Sequence, residues 1–288
     1  SFLQLDYSSL LMSVILTDSL VILDEVHSYD PKLFGTVIEF LKLMNIPTLC
    51  MTATLPTSRA KRLELVKLEF YPKNNASARK ALEEKESTPR YSPRIKESHK
   101  DCVEVCKAAL NDGKRILWVV NTVANCQKLY DEMCNSHPGQ VICYHSRFRL
   151  KDREDRHRAC TAMFSKGCQR TNGILAITTQ VCEMSLDLDA DVLITETAPV
   201  SSLIQRMGRA NRHLDSREQG YLAPVYFYEA ESNLPYTKEE LDAAKVFIQE
   251  LANTGINGIS QKLLADLMAN PALERRESNL LDNANLFT

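Results

Sequence analysis

The chain has 288 residues, 44% of them hydrophobic, and 35 Lys and Arg stand against 37 Asp and Glu for a formal net charge of −2. That length holds roughly two domains of ordinary size, each able to bury its own core. Near-neutrality excludes nucleic-acid binding by global attraction, so any such contact must come from a local groove.

In chain order the pattern predicts a helix over 8–18, a strand over 20–26, a helix over 31–44 and a strand over 47–53. Residues 76–98 are charged, carry prolines and lack apolar periodicity, which predicts an exposed linker. Alternation then resumes with a helix over 99–111, the strand "RILWVVN", a helix over 123–135, the strand "QVICYHS" and a helix over 150–165. The strands "GILAITT" and "DVLITE", a helix over 201–211 and the strand "APVYFYE" follow, and a helical tail runs from 236. Strands alternating with helices mean α/β organisation, a parallel sheet with helices on both faces. No run approaches the roughly 18 apolar residues of a membrane span, and no basic region precedes the apolar start, so neither a span nor a secretory signal is expected. The nine cysteines are an odd number and several lie in strand-like apolar runs, as expected of reduced core thiols in a cytoplasmic protein. Cys102 and Cys106 have helical spacing and no second ligand pair at zinc-finger distance. The chain begins at Ser1 and enters a core strand within about twenty residues, which suggests a piece of something longer.

The polar clusters follow strands. "VIL" runs into Asp24, Glu25 and His27; the second strand leads to Thr52 and Thr54; later ones lead to Asn121, to His145, Ser146 and Arg147, and to Thr178, Thr179 and Glu183. Parallel strands would gather all of these on one rim, where open α/β sheets bind ligands. A carboxylate pair there suits a metal and an attacking water, and small hydroxyls, asparagine and arginine suit phosphate oxygens. Taken singly, each Ser or Thr also fits a helix N-cap. On a helix over 204–213, Gln205, Arg209 and Arg212 would share one face, with Gly208 allowing close approach and no acidic partner between Gln205 and His213. Such arginines can clamp a polyanion or stabilise charge on a γ-phosphate.

Together "DEVH", "TAT", "TTQVCEMSLDLDADVLITETAP" and "QRMGRANRH" resemble motifs II, III, V and VI of superfamily 2 helicases. "DEVHSYD", "YHSRFRLKDR", "TTQVCEMSLDLDAD" and "APVSSLIQRMGRANRH" resemble, more narrowly, the helicase core of the CRISPR-associated helicase-nuclease of type I systems, over about residues 20–230. The resemblance implies two RecA-like lobes: the C-terminal part of lobe 1 over 1–75, lobe 2 over 99–235, and a tail or the start of an accessory domain over 236–288. It implies ATP and Mg2+, with Asp24 coordinating the metal through water, Glu25 positioning the attacking water and His27 coupling the lobes through Gln205. Thr52 and Thr54 would link nucleotide state to DNA grip. Asp187 would lie near the ribose, Arg206 would contact the nucleotide, and Arg209 and Arg212 would be arginine fingers. Asn121, His145, Ser146, Arg147, Thr178 and Thr179 would line a single-stranded-DNA track. The implied partners are single-stranded DNA, an RNA-guided multi-subunit surveillance complex and a nuclease in the same or a separate polypeptide.

The sequence departs from the family in two places. Gly113-Lys114 is the only Gly-Lys pair and fails the P-loop pattern at the other positions, and no His-Asp dipeptide marks a nuclease domain. Either the rest of lobe 1 lies upstream or in another polypeptide, or the chain is a non-catalytic binding module. A lobe of about two strands leaves an apolar sheet edge exposed, which favours the first account. A superfamily 2 helicase acting on RNA or in recombination shares the same ATPase residues and is the alternative enzyme reading.

Overall fold

The structure is a computed structural model describing residues 19–26, 29, 31–52, 55, 57–71, 77–165, 172–214, 218–254 and 258–268. The helix expected over 8–18 and the candidates His27 and Thr54 lie outside these residues. Two compact units are present, Ser1–Lys85 with Ala265–Thr288, and Glu86–Leu264.

In the first unit, β1 (Val21–Leu23) pairs in parallel with β2 (Thr48–Cys50), with α1 (Pro31–Leu43) between them and α2 (Thr57–Leu65) and α3 (Ser77–Ser87) after them. Val26, Phe34, Ile38 and Leu63 form the core, with Leu23 and Cys50 packed on it. The register sets Ile22 beside Leu49 on the other face, where they are 54% and 47% exposed.

The second unit is a seven-stranded sheet in the order β5-β6-β4-β7-β8-β3-β9. Its strands are β3 (Pro89–Ile95), β4 (Arg115–Val119), β5 (Val141–Tyr144), β6 (Ile174–Thr178), β7 (Val192–Glu196), β8 (Ala223–Tyr228) and β9 (Ile259–Ser260). All neighbouring pairs are parallel except β3 with β9. β6 and β7 are buried at every residue, the signature of strands covered on both faces. On one face lie α4 (His99–Asn111) and α5 (Val123–Ser136), packed with Ile194 and Trp118 in one cluster. Alternation turns Thr195 to the other face, where α8 (Val200–Met207) packs on β7 and α9 (Lys238–Thr254) packs on β3 and α8. The remaining helices are α6 (Leu150–Phe164), α7 (Val181–Ser185) and α10 (Gln261–Met268).

The structure departs from the sequence expectation at residues 76–98 and at the end of α8, and adds α2, α7 and β9. Residues 76–98 carry α3 and β3 in place of a linker. β9 pairs only with Pro89 and Tyr91, so the rest of β3 is an edge, where Pro93 is tolerated. The helix expected to reach residue 211 or beyond stops at Met207. Past it Ala210 bridges Ala190, and Asn211 adopts a φ of 46° while its Nδ2 donates to the carbonyls of Arg90 and Tyr221. Gly113 has a φ of 70°, and its N–H and that of Lys114 close the end of α4 on Leu110 and Ala109, a helix C-cap.

Candidate functional site

In the first unit Asp24 and Glu25 directly follow β1, at its carboxyl end as expected. Asp24 is exposed, and its Oδ1 accepts the Glu25 N–H at 2.9 Å. Glu25 has a φ of 51°, so the chain turns sharply and the two carboxylates do not continue the strand's alternation. The Val26 N–H donates to the Met51 carbonyl at 3.2 Å, which brings exposed Thr52 beside the acidic turn. Arg59 of α2, unremarked in the sequence, pins that turn: it is 4% exposed, and its Nη1 donates to the carbonyls of Tyr29 at 2.7 Å and Val26 at 3.3 Å. Its guanidinium lies 4.9 Å from the centre of the Phe34 ring.

In the second unit the candidates do not share one rim. Asn121, His145, Ser146, Arg147 and Thr179 follow the carboxyl ends of β4, β5 and β6, and Thr178 ends β6. Ser146 and Arg147 are exposed, whereas Asn121, His145, Thr178 and Thr179 are 0–3% exposed. Thr178 turns its hydroxyl to the Thr179 carbonyl at 2.9 Å. His145 stacks on Phe148 at 4.2 Å, and its Nδ1 accepts the Arg147 N–H at 3.3 Å. Burial, then the Arg147 and Arg156 cations, hold its pKa below the ordinary value.

Asp187, Arg209 and Arg212 lie at the other end, beside the entry to β7, because Ala190 and Ala210 pair just ahead of Val192. With the helix ended at Met207, Arg209 and Arg212 sit on a turn and not on the face of Gln205, which is half-buried in α8. Asp189 was unremarked in the sequence; its Oδ1 accepts the Arg212 N–H at 2.8 Å, and the Arg212 carbonyl accepts from Arg90 at 3.3 Å. The Arg212 side chain meets exposed Asp187 at 3.4 Å.

Between the two ends is one buried guanidinium. Arg206 is 0% exposed and all five of its N–H groups are bonded. Nε donates to Glu183 at 2.8 Å, Nη1 to the Thr195 hydroxyl at 2.9 Å and the Glu196 carbonyl at 3.2 Å, and Nη2 to Asn121 Oδ1 and the Tyr236 hydroxyl, both at 3.2 Å. Arg206 was expected at the nucleotide; with every donor spent inside the unit it braces the site. Burial pushes its pKa down, and the Glu183 carboxylate with Tyr236 more than offsets this. Glu196, also buried, accepts the Asn121 N–H at 2.5 Å and Asn125 Nδ2 at 3.0 Å; burial raises its pKa and those two donors oppose the rise. Arg209 reaches back so that its Nη2 donates to the Glu183 carbonyl. The strand-end rim is thus joined through Asn121, Arg206 and Glu183 to the turn that carries the exposed arginine end.

Residues 112–215 match the family profile described as CRISPR-associated nuclease/helicase Cas3, C-terminal. A putative CRISPR-associated nuclease/helicase of Myxococcus xanthus is 36% identical over 267 residues, covering 91% of this chain and 34% of that protein. The chain belongs to the CRISPR-associated nuclease/helicase family. It spans about a third or less of the length of the curated relatives it matches first. The fold is that of the T. fusca family member, at a TM-score of 0.70 and 21% identity over 94% of this chain and 38% of that one. That protein has also been solved with ADP, AMPPNP and ATP. A chain in an RNA-guided surveillance complex in its pre-nicking state gives a TM-score of 0.69 at 20% identity, over 94% of this chain and 41% of that one.

Among the described residues no group of three or more His, Cys, Asp and Glu could hold a metal, and no helix is long and apolar enough to cross a membrane. The eight described cysteines are all free thiols. An exposed single carboxylate such as Asp24 still fits Mg2+, which keeps several waters and is held by one or two carboxylates plus substrate phosphates.

Proposed function

We propose that this chain is the core of an ATP-driven motor that moves 3'-to-5' along single-stranded DNA in type I CRISPR interference. The observation that carries this reading is Arg206, which ties the strand-end rim to the turn bearing Arg209, the mechanical link a motor needs between nucleotide state and grip. Asp24 would hold Mg2+ through water, and the bound metal would neutralise charge on the β- and γ-phosphates. Glu25 orients the attacking water, Asp187 approaches the ribose, and Arg209 and Arg212 stabilise charge on the γ-phosphoryl group as it leaves. Thr52 and Thr54 relay nucleotide state, with His27 coupled to Gln205. Ser146 and Arg147 contact the strand directly, while Asn121, His145, Thr178 and Thr179 shape the rim behind them. The P-loop comes from chain outside these residues, and the partner is an RNA-guided surveillance complex of the kind in which a family structure has been solved.

The test is ATP hydrolysis by the complete gene product with no nucleic acid, with single-stranded DNA and with RNA. Stimulation by DNA is expected. Stimulation by RNA alone, or strand binding indifferent to ATP, would overturn the proposal in favour of an RNA helicase or a non-catalytic scaffold.

A further inference from the structure

Tyr236 lies in the segment between β8 and α9, far in sequence from every motif. Its side chain nevertheless reaches the centre of the buried network. The phenol oxygen accepts two hydrogen bonds, from Arg206 Nη2 at 3.2 Å and from Gln180 Nε2 at 3.1 Å. Those donors belong to different elements. Arg206 is in the last turn of α8, three residues before Arg209, and Gln180 directly precedes α7, with its side chain making no cap bond to that helix. Arg209 in turn is seated on the carbonyl of Glu183 in α7. One oxygen therefore adds a tie between α8 and the start of α7, beside the bonds of Arg206 and Ser202 to Glu183 that join the same two helices, and Arg209 just past α8 is seated on α7. The same two donors also bind Asn121, Gln180 through its carbonyl at 2.8 Å and Arg206 through its Oδ1 at 3.2 Å, so the clamp continues to the strand-end rim.

We infer that Tyr236 is a positioning residue for Arg209, acting through Gln180 and Arg206, and that the segment leading into α9 thereby sets the activity of the arginine turn. The inference rests on the proposed ATPase role of Arg209. Without the hydroxyl, a buried N–H of a charged group loses its acceptor, which is costly enough to make α8 shift. A displacement of that kind, far from the chemistry, lowers turnover without touching the groups that bind substrate.

The experiment is Tyr236→Phe in the complete gene product, alone and with Arg209→Ala. DNA-stimulated ATP turnover should fall about tenfold in Y236F with KM for ATP changed by less than about twofold. In the R209A background the same substitution should cost nothing further, whereas an equal fall in both backgrounds would reduce Tyr236 to a structural residue. Hydrogen exchange gives a readout independent of turnover. Amides of 181–185 and 206–210 should exchange about tenfold faster in Y236F while those of β4 and β6 keep their protection. Unchanged exchange at 181–185 and 206–210 would overturn the clamp. R209A with full turnover would remove the catalytic reading of Arg209, and a rise in exchange confined to these two stretches would still uphold the clamp.

Discussion

Replacing Arg206 by methionine removes the charge from the centre of the network while keeping most of the volume. Glu183 is 8% exposed, so its carboxylate would lose the 2.8 Å ion pair and stay in a low-dielectric site. Breaking a buried pair from one side costs about 3–5 kcal/mol, because an uncompensated buried charge is left behind. Asn121 Oδ1 and the Tyr236 hydroxyl lose a donor as well, which places the expected value in the upper part of that range. For a domain of this size class each kcal/mol moves Tm by roughly 2–4 °C, so a loss of about 4–5 kcal/mol should make R206M melt roughly 8–20 °C lower. The chain's one tryptophan, Trp118, is fully buried in the same unit, and its fluorescence is the natural probe of the transition. Converting Glu183 to methionine in the same molecule removes the orphaned charge and should recover much of the loss. A shift below about 2 °C for R206M, or no recovery in the double variant, would refute the description of Arg206 as a buried, fully bonded brace.

Other consequences are smaller and separable. Gly173→Ala should destabilise by about 1–3 kcal/mol in urea unfolding, since a Cβ there would lie 2.7 Å from Leu110 Cα; an unchanged midpoint would contradict the packing of α4 against the entry to β6. The pKa of His145 is lowered on folding from 6.5, so the unfolded chain binds more protons and stability falls as pH drops below that value. Wild-type Tm should therefore decrease more between pH 7 and pH 5 than that of His145→Gln, and equal slopes would contradict the buried neutral imidazole. Asp187→Asn breaks only an exposed pair, 39% and 67% accessible on its two sides, and should cost less than about 1 kcal/mol in the same unfolding assay.

The fold was legible where the sheet is buried on both faces. The runs "ILAIT" and "VLITE" are short, continuous, apolar and rich in β-branched residues, the pattern of a covered parallel strand, and β6 and β7 are where they fall. β3 was hidden because its two prolines and arginines speak against a strand, and only its position beside β8, with a short β9, makes them acceptable. The end of α8 was hidden for a different reason. Gly208 and Asn211 are weak helix formers in "QRMGRANRH", but where the helix stops is set by backbone pairing with Ala190, twenty residues away, and by the bonds of Asn211 to Arg90 and Tyr221. Asp24 and Glu25 were found because a strand announces its own carboxyl end. Arg59, Asp189 and Tyr236 gave no local signal, since each matters through a contact with a residue distant in sequence.

The most direct measurement compares Glu25→Gln, Arg209→Ala and the double variant of the complete gene product in DNA-stimulated ATP turnover, alongside equilibrium binding of a non-hydrolysable ATP analogue. If both groups serve one triphosphate, each single change should lower kcat about a thousandfold, the double should be little worse than either, and analogue binding should hold within about threefold. Single variants that turn over at the wild-type rate, or variants that no longer bind the analogue, would contradict it.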